Sequence, residues 1–198
     1  MKDKPRYIAF EGIDGVGKTT QAKLFQFFLE SINIKSLLTK EPGGTPAGTK
    51  IKQILLEDKI YKETKLLLFL ADRSQHIREV VKPNIEKGFV VVSDRSLYST
   101  IAYQGFGEGI DVEFLYKLSN FTNDSILPQL VFLIDMQPET CIMRCRKRGK
   151  EKNESISFLR RVREGYLKLS KEKNFFVLNG QKDIATLHED IVKIWNEL

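Results

Sequence analysis

Tyr7-Ile8-Ala9-Phe10-Glu11-Gly12-Ile13-Asp14-Gly15-Val16-Gly17-Lys18-Thr19-Thr20 is the segment from which the rest of the chain can be read. Tyr7 to Phe10 form a short apolar run that reads as a strand, and residues 12–19 match G-x-x-x-x-G-K-[ST] in full. Glycines in such a loop let backbone N–H groups turn inward around phosphate oxygens, where a side chain would block them. From about Lys18, the residues Ala22, Phe25, Phe28, Leu29 and Ile32 recur at three- and four-residue spacing and define one apolar helical face. The N-terminal dipole of that helix falls on the same spot. Lys18 can reach the β- and γ-phosphates of a nucleotide, and the Thr19 hydroxyl can ligate Mg²⁺. The plain alternative is a glycine-rich turn with an incidental lysine, and the strand before and helix after argue against it. The expected ATP contacts are Gly12, Ile13, Asp14, Gly15, Val16, Gly17, Lys18, Thr19 and Thr20.

Outward from this loop, short apolar runs alternate with longer segments of helical period. Ser36–Thr39, Phe89–Val92, Leu130–Ile134 and Phe175–Leu178 read as four further strands. The unbroken β-branched run at Val90-Val91-Val92 suits a central parallel strand covered on both faces. Helices are expected at 63–82, where Pro83 would end or kink the chain, and at 111–121, 138–148, 155–172 and 184–196. The expected fold is α/β: a five-stranded parallel sheet of the phosphate-loop NTPase type, with helices on both faces and ligands at the carboxyl ends of the strands.

The 198 residues suit one domain over 1–198, long enough to bury a core without metal or disulfide staples. With 32 Lys and Arg against 26 Asp and Glu the formal charge is +6, and 41% hydrophobic content rules out wholesale disorder. Apolar runs such as Leu66–Ala71 fall far short of a membrane span, and the N-terminus lacks the apolar core of a signal peptide. Cys141 and Cys145 are expected as free thiols, and His76 and His188 add no zinc-ligand spacing. A cytoplasmic protein follows as the expectation.

A GTPase would need a guanine-reading N-K-x-D element, and the nearest string, Asn179-Gly180-Gln181-Lys182-Asp183, has the wrong spacing. What remains suits a small phosphoryl acceptor. Polar clusters stand where strands end: Lys40-Glu41-Pro42-Gly43-Gly44-Thr45, and Asp94-Arg95 followed by Ser99, Thr100, Tyr103 and Gln104. Phe69, Asp72, Arg73, Gln75 and His76 punctuate an otherwise apolar helix. An arginine at a strand end can clamp a phosphate bidentately, and a carboxylate beside it can hold magnesium's water ligands. Asp135 ends an apolar strand just as Asp94 does, and sequence physics does not rank the two. Phe69 and Tyr103 would each pass for packing residues if read alone.

From about Ile8 to Tyr166 the sequence resembles the thymidylate kinase family of nucleoside monophosphate kinases. The resemblance rests on Phe10-Glu11-Gly12 through Thr20, Glu41-Pro42-Gly43-Gly44-Thr45, Leu68-Phe69 with Asp72-Arg73, Asp94-Arg95 with Ser99, and Ala102-Tyr103-Gln104-Gly105. It implies that Asp14 would bond the sugar 3′-hydroxyl of dTMP or steady its phosphate, that Phe69 would stack on thymine, and that Arg73 would bond a thymine carbonyl. Arg95 would grip the acceptor phosphate, with Asp94 rather than Asp135 organising Mg²⁺ alongside Thr19. Thr100 and Gln104 would reach the base edge, and Tyr103 would pack under the deoxyribose. Glu41 would belong to a loop lining the acceptor site, and the family often has a cis bond before Pro42. The family forms homodimers, for which the apolar helices at 63–82 and 98–121 are candidates.

Arg144, Arg146, Lys147, Arg148, Lys150 and Lys152 crowd nine positions, opposed only by Glu151. A solvated face is the plain reading of such a run. It lies, however, where nucleotide kinases carry a mobile lid, here about 144–154. In the resembled family, the arginine that faces the transferring phosphoryl comes either from the phosphate loop or from the lid. Position 15 is glycine, which leaves the lid, with Arg144 and Arg148 as the favoured residues and Arg146 a further candidate. Three positions depart from the family pattern: Lys152 and Lys40 where arginine is common, and Ser96 where an aromatic is common.

The expected reaction is transfer of the γ-phosphoryl of ATP to dTMP, with Lys18, Asp94, Arg95, Arg144 and Arg148 as its catalytic residues. A nucleoside kinase is a rival in which Arg95 would be superfluous. An ATP-gated nucleic-acid-binding module is another, disfavoured because the basic run has no interleaved aromatics.

Overall fold

In a computed structural model, which describes residues 4–57, 60–147, 149 and 154–198, five strands form one sheet. They are β1 (Tyr7–Glu11), β2 (Ser36–Lys40), β3 (Val90–Asp94), β4 (Leu130–Asp135) and β5 (Phe175–Asn179), all parallel, in the order β2-β3-β1-β4-β5. All five lie within a residue or two of the runs read from sequence.

Between and after them come α1 (Lys18–Ser31), α2 (Pro46–Leu55), α3 (Lys62–His76), α4 (Lys82–Glu86), α5 (Leu97–Thr100), α6 (Val112–Thr122), α7 (Pro138–Lys147), α8 (Ile156–Leu169) and α9 (Ile184–Glu197). Parallel strands must be covered on both faces, and alternation along β1 shows how. Phe10 meets Phe25 of α1 and Phe132 of β4 at ring-centroid distances of 5.9 and 5.2 Å, and Phe25 meets Trp195 of α9 at 5.5 Å. Tyr7 and Val91, on the opposite face, pack with Ile77 and Val81.

Two π-helical turns interrupt the regular helices. Ile77–Val81 joins α3 to α4, so the chain does not stop at Pro83 but runs on to Glu86. Lys82 N–H reaches back to the Ile77 carbonyl, a π register, and Pro83 then enters in the first turn of α4, where a missing N–H is tolerated. The second turn, Ile101–Gly107, extends α5 and carries Tyr103 and Gln104. Helix α2 has no counterpart among the expected elements. Thr45 caps it by accepting from Gly48 N at 2.9 Å, and Pro46 opens it.

Helix α8 lies flat against the second π turn because glycines face it on both sides. A Cβ at Gly107 would come within 2.7 Å of the Phe158 ring, and one at Gly165 within 2.5 Å of the Phe106 ring. Arg161 ties the pair together, donating from Nε and Nη2 to the Gly107 carbonyl at 3.2 and 3.0 Å. Gly165→Ala should therefore lower stability by about 1–3 kcal/mol through overpacking. Urea unfolding of the variant beside the parent measures it, and an unchanged midpoint would contradict the tight contact.

Candidate active site

Parallel register aligns the carboxyl ends of three strands. Lys40 pairs with Asp94, and Asp94 with Phe10. The ladder continues past the strand ends, with Glu41 N–H on the Asp94 carbonyl and Arg95 N–H on the Phe10 carbonyl, each at 3.0 Å. Glu41, Arg95 and the phosphate loop thus open onto one cavity of about 640 Å³.

At one end lies the loop between β1 and α1. Its glycines 12, 15 and 17 take φ of 135°, 94° and 108°. Gly15 has a further reason to be glycine, because a Cβ there would stand 2.7 Å from the Cys141 carbonyl and 2.9 Å from Cys145 Sγ on α7. Both cysteines are free thiols and buried. Ile13 and Val16 turn their side chains into the core, so at those two positions the loop keeps its apolar side chains out of the cavity. Lys18 Nζ donates to the carbonyls of Gly12 and Ile13 at 2.9 and 3.0 Å and lies 3.6 Å from Asp14 Oδ1. Burial and then the nearby Arg95 charge pull its pKa down, against the attraction of Asp14 and Asp94. Thr19 Oγ1 donates to Asp94 Oδ2 at 2.5 Å, and Thr20 also lines the cavity. Asp135, by contrast, is held by Arg163 of α8 through paired bonds of 2.7 and 2.8 Å and does not line the cavity.

Arg95 sits at the middle. Its φ of 80° is a region that costs a non-glycine residue on the order of 1–3 kcal/mol. Nη2 is in close contact with Asp14 Oδ1, Nη1 donates to Ser99 Oγ at 2.8 Å, and the guanidinium lies 5.1 Å over the Tyr103 ring. Tyr103 OH in turn accepts from Asp14 N at 3.2 Å.

The far end is built around Arg73. Nε donates to Glu41 Oε2 at 2.9 Å, and Nη2 donates to the Ser96 carbonyl and Thr100 Oγ1, both at 3.0 Å. Nη1 is buried and has no hydrogen-bond partner. The other oxygen of Glu41 bonds His76 Nδ1 at 2.9 Å, and His76 Nε2 meets Thr39 Oγ1 at 2.7 Å. Glu41 and Pro42 are joined by a cis peptide. Burial alone would push the Glu41 carboxyl up, but Arg73 and His76 outweigh it and hold the group below its ordinary range. Phe69 is half-buried, lines the cavity and stands outside the packed core, and Gln104 lines the same wall.

The family model for thymidylate kinase matches residues 10–191. A thymidylate kinase of Kosmotoga olearia is 42% identical over 194 residues, covering 94% of this chain and 93% of the relative. One from Thermosipho africanus is 44% identical over 193 residues, covering 95% and 96%, and one from Carboxydothermus hydrogenoformans is 41% identical over 182 residues, covering 89% and 90%.

The chain belongs to the thymidylate kinase family.

Of the residues that the thymidylate kinase resemblance singled out, the cavity gathers Asp14, Lys18, Thr19, Glu41, Phe69, Arg73, Asp94, Arg95, Thr100, Tyr103 and Gln104. Lys40 lines it too, exposed at the rim. Arg144 is placed elsewhere, donating from Nη1 to the Gly180 carbonyl at 3.0 Å. Of the expected lid at 144–154, Arg148, Lys150, Glu151, Lys152 and Asn153 lie outside the described residues. Sequence reasoning gave no role to Glu11, His76 or Tyr166, all buried in this network. A glutamate at the very end of an apolar strand was the one available signal.

The Glu41–Arg73 pair gives a pH prediction. A depressed carboxyl pKa contributes stability above the unfolded value and loses it as pH falls through the folded one. Glu41→Gln should cost about 3–5 kcal/mol at pH 7, since it leaves Arg73 buried without its counter-charge. That penalty should begin to shrink as pH falls below 4.5, the ordinary value, where Glu41 of the unfolded parent takes up protons while the folded group still holds its charge. Urea unfolding of both proteins at pH 7 and pH 4 measures it, and a penalty equal at both would speak against an ionised pair.

Proposed function

We propose that this chain transfers the γ-phosphoryl group of ATP to the 5′-phosphate of dTMP, giving dTDP and ADP. Membership of the thymidylate kinase family supports the reaction. The observation that carries the detailed reading is one cavity with a phosphate loop at one end and, at the other, a buried arginine whose Nη1 amino group has no partner. ATP phosphates occupy the loop and meet Lys18. The acceptor phosphate meets Arg95, and the Arg73 Nη1 donates to a thymine carbonyl. Phe69 supplies a face for the base, Thr100 and Gln104 its edge, and Tyr103 the floor of the deoxyribose. Asp14 reaches the sugar or steadies the acceptor phosphate.

Phosphoryl transfer asks for positioning and charge rather than covalent help from the protein. No general base is needed, because the attacking phosphate oxygen is already ionised. Thr19 and Asp94 present adjacent hard oxygens, and the described residues hold no cluster of three His, Cys, Asp or Glu side chains suited to a metal. That pairing suits Mg²⁺, which keeps most of its waters and takes one or two protein oxygens. When bound there it would neutralise charge on the nucleotide phosphates. For the cation facing the transferring group the candidates are Arg144 and Arg148, from the segment 144–154 acting as a lid over a single 1–198 unit. Arg144 would then leave the Gly180 carbonyl on closure. Closure excludes water and so suppresses hydrolysis of ATP.

The same reading takes the enzyme to be cytoplasmic, which two buried free thiols suit. It also takes it to be a homodimer. Leu67 of α3 and Phe114 and Phe121 of α6 are 62%, 50% and 81% exposed on two helices that pack side by side. No helix among the described residues is long and apolar enough to cross a membrane.

A coupled assay with ATP and a panel of nucleoside monophosphates tests the reaction. dTMP should be turned over well above dUMP, CMP and AMP, and equal rates would defeat the assignment. Arg95→Ala should lower kcat/KM for dTMP by about 10²–10³-fold. A nucleoside kinase would barely notice that change. For the assembly, light scattering should give twice the chain mass, falling to one chain in a Leu67→Glu/Phe121→Glu variant.

A further inference from the structure

Glu11 is the last residue of β1 and is fully buried beneath Arg95. Its two oxygens lie within hydrogen-bond distance of one backbone N–H and three hydroxyls, each of which can donate. Ser99 Oγ and Tyr166 OH also stand 2.8 Å apart and share no hydrogen when both turn to Glu11. Ser96 N and Ser96 Oγ both reach Oε1 at 2.7 Å, while Ser99 Oγ and Tyr166 OH reach Oε2 at 2.6 and 2.9 Å. A carboxylate is the one side-chain group that accepts at both atoms, whereas an amide would turn two hydrogens toward two donors. No obligate acceptor faces it, a shell that suits a carboxylate accepting at both oxygens; burial pushes its pKa above the ordinary range and the Arg95 charge pulls the other way.

Two consequences fall on Arg95. The first concerns its backbone. The peptide that follows Arg95 is held by Ser96 N–H on Glu11, while Arg95 N–H bonds the Phe10 carbonyl and Ser93 Oγ bonds the Arg95 carbonyl. These three bonds bracket the residue with φ of 80°, and such a conformation persists only where its surroundings over-determine it. The second concerns the guanidinium. The Ser99 hydroxyl spends its proton on Glu11 and so presents lone pairs to Arg95 Nη1 at 2.8 Å, with Tyr166 OH a weaker acceptor at 3.4 Å. Without the carboxylate these hydroxyls could rotate and offer Arg95 a hydrogen instead.

We propose that Glu11 is a positioning residue for the acceptor-phosphate clamp: by polarising Ser99 and Tyr166 and pinning the Arg95–Ser96 peptide, it aims the Arg95 guanidinium at the phosphate of the acceptor nucleotide. This rests on the reading of Arg95 as the group that grips that phosphate. Glu11 does not touch substrate. The Ser96 hydroxyl, at a position where the family commonly has an aromatic, is one of its anchors.

The test compares dTMP with thymidine, which carries the same base and sugar but no phosphate. Glu11→Gln should lower kcat/KM for dTMP about 10- to 100-fold, the loss of a charge-assisted alignment. The KM for ATP and the inhibition constant of thymidine against dTMP should stay within about twofold of the parent, a margin of roughly 0.4 kcal/mol. Adding Glu11→Gln to Arg95→Ala should cost little beyond Arg95→Ala alone, since the residue acts through that side chain. Equal weakening of dTMP and thymidine, or additive losses in the double variant, would overturn the proposal and reduce Glu11 to a fold-maintaining group. Should Glu11→Gln fail to fold, Ser99→Ala removes the connecting hydroxyl alone. It must show the same split between dTMP and thymidine, and an even loss on both would overturn the proposal equally. If the parent enzyme itself fails to phosphorylate dTMP, the fault lies with the proposed reaction and not with Glu11.

Discussion

The parallel register that sets Lys40, Asp94 and Phe10 abreast is the constraint on which this site depends. Three segments far apart in sequence carry the polar chemistry, and each begins within two residues of that row. Because the strands are parallel, their carboxyl ends leave the sheet on the same side. The ladder bonds that follow, Arg95 N–H to Phe10 and Glu41 N–H to Asp94, fix the exit direction of each loop before any side chain is considered. A one-residue slip of β3 against β1 would move Asp94 away from Thr19 and turn every β3 side chain to the opposite face.

Within that frame the cations are distributed with matching anions. Arg73 has Glu41, Arg95 has Asp14 in contact and Glu11 beneath, and Lys18 has Asp14 together with two loop carbonyls. Buried ion pairs are weak sources of stability, since desolvation offsets most of their attraction. Their value here is directional. Each partner consumes some N–H groups of its arginine and leaves a defined remainder, as the unpaired Nη1 of Arg73 shows. A site meant to receive anions and carbonyls needs donors left over in fixed places, and carboxylates on the protein side provide that arrangement.

How far sequence reading reaches depends on whether the deciding contact is local. The five strands and the phosphate loop were legible because their signals, an apolar run or glycines at fixed spacing, lie within a dozen residues. Helix α2 went unread although Thr45-Pro46 is a standard opening, because the glycine-rich segment before it reads as loop. The π turns were not legible, since their register answers to packing against the sheet and α8. Asp94 and Asp135 looked alike for the same reason. What separates them is Arg163, 28 residues beyond Asp135, closing on it with two bonds and removing it from the cavity. Glu11 escaped notice because four partners from positions 96, 99 and 166 convert an unremarkable strand-end glutamate into the floor of the site.

Gly15 links the loop to the segment that follows α7. In the resembled family this position can carry an arginine, yet here the backbone and thiol of α7 occupy the volume in which its Cβ would begin. Helix α7 thus presses on the phosphate loop with Cys141 and Cys145 while its last turn leads into the basic run. The contact that closes position 15 to a side chain also anchors α7, whose last turn carries Arg144, Arg146 and Lys147. With position 15 closed, Lys18 is the only cationic side chain within the loop, and it already stands on the donor side between two carbonyls. On the proposed reaction, charge developing between donor and acceptor would be met by Arg95 on the acceptor side, with Arg144 on the last turn of α7 and Arg148 just after it as the candidates to meet it from the other.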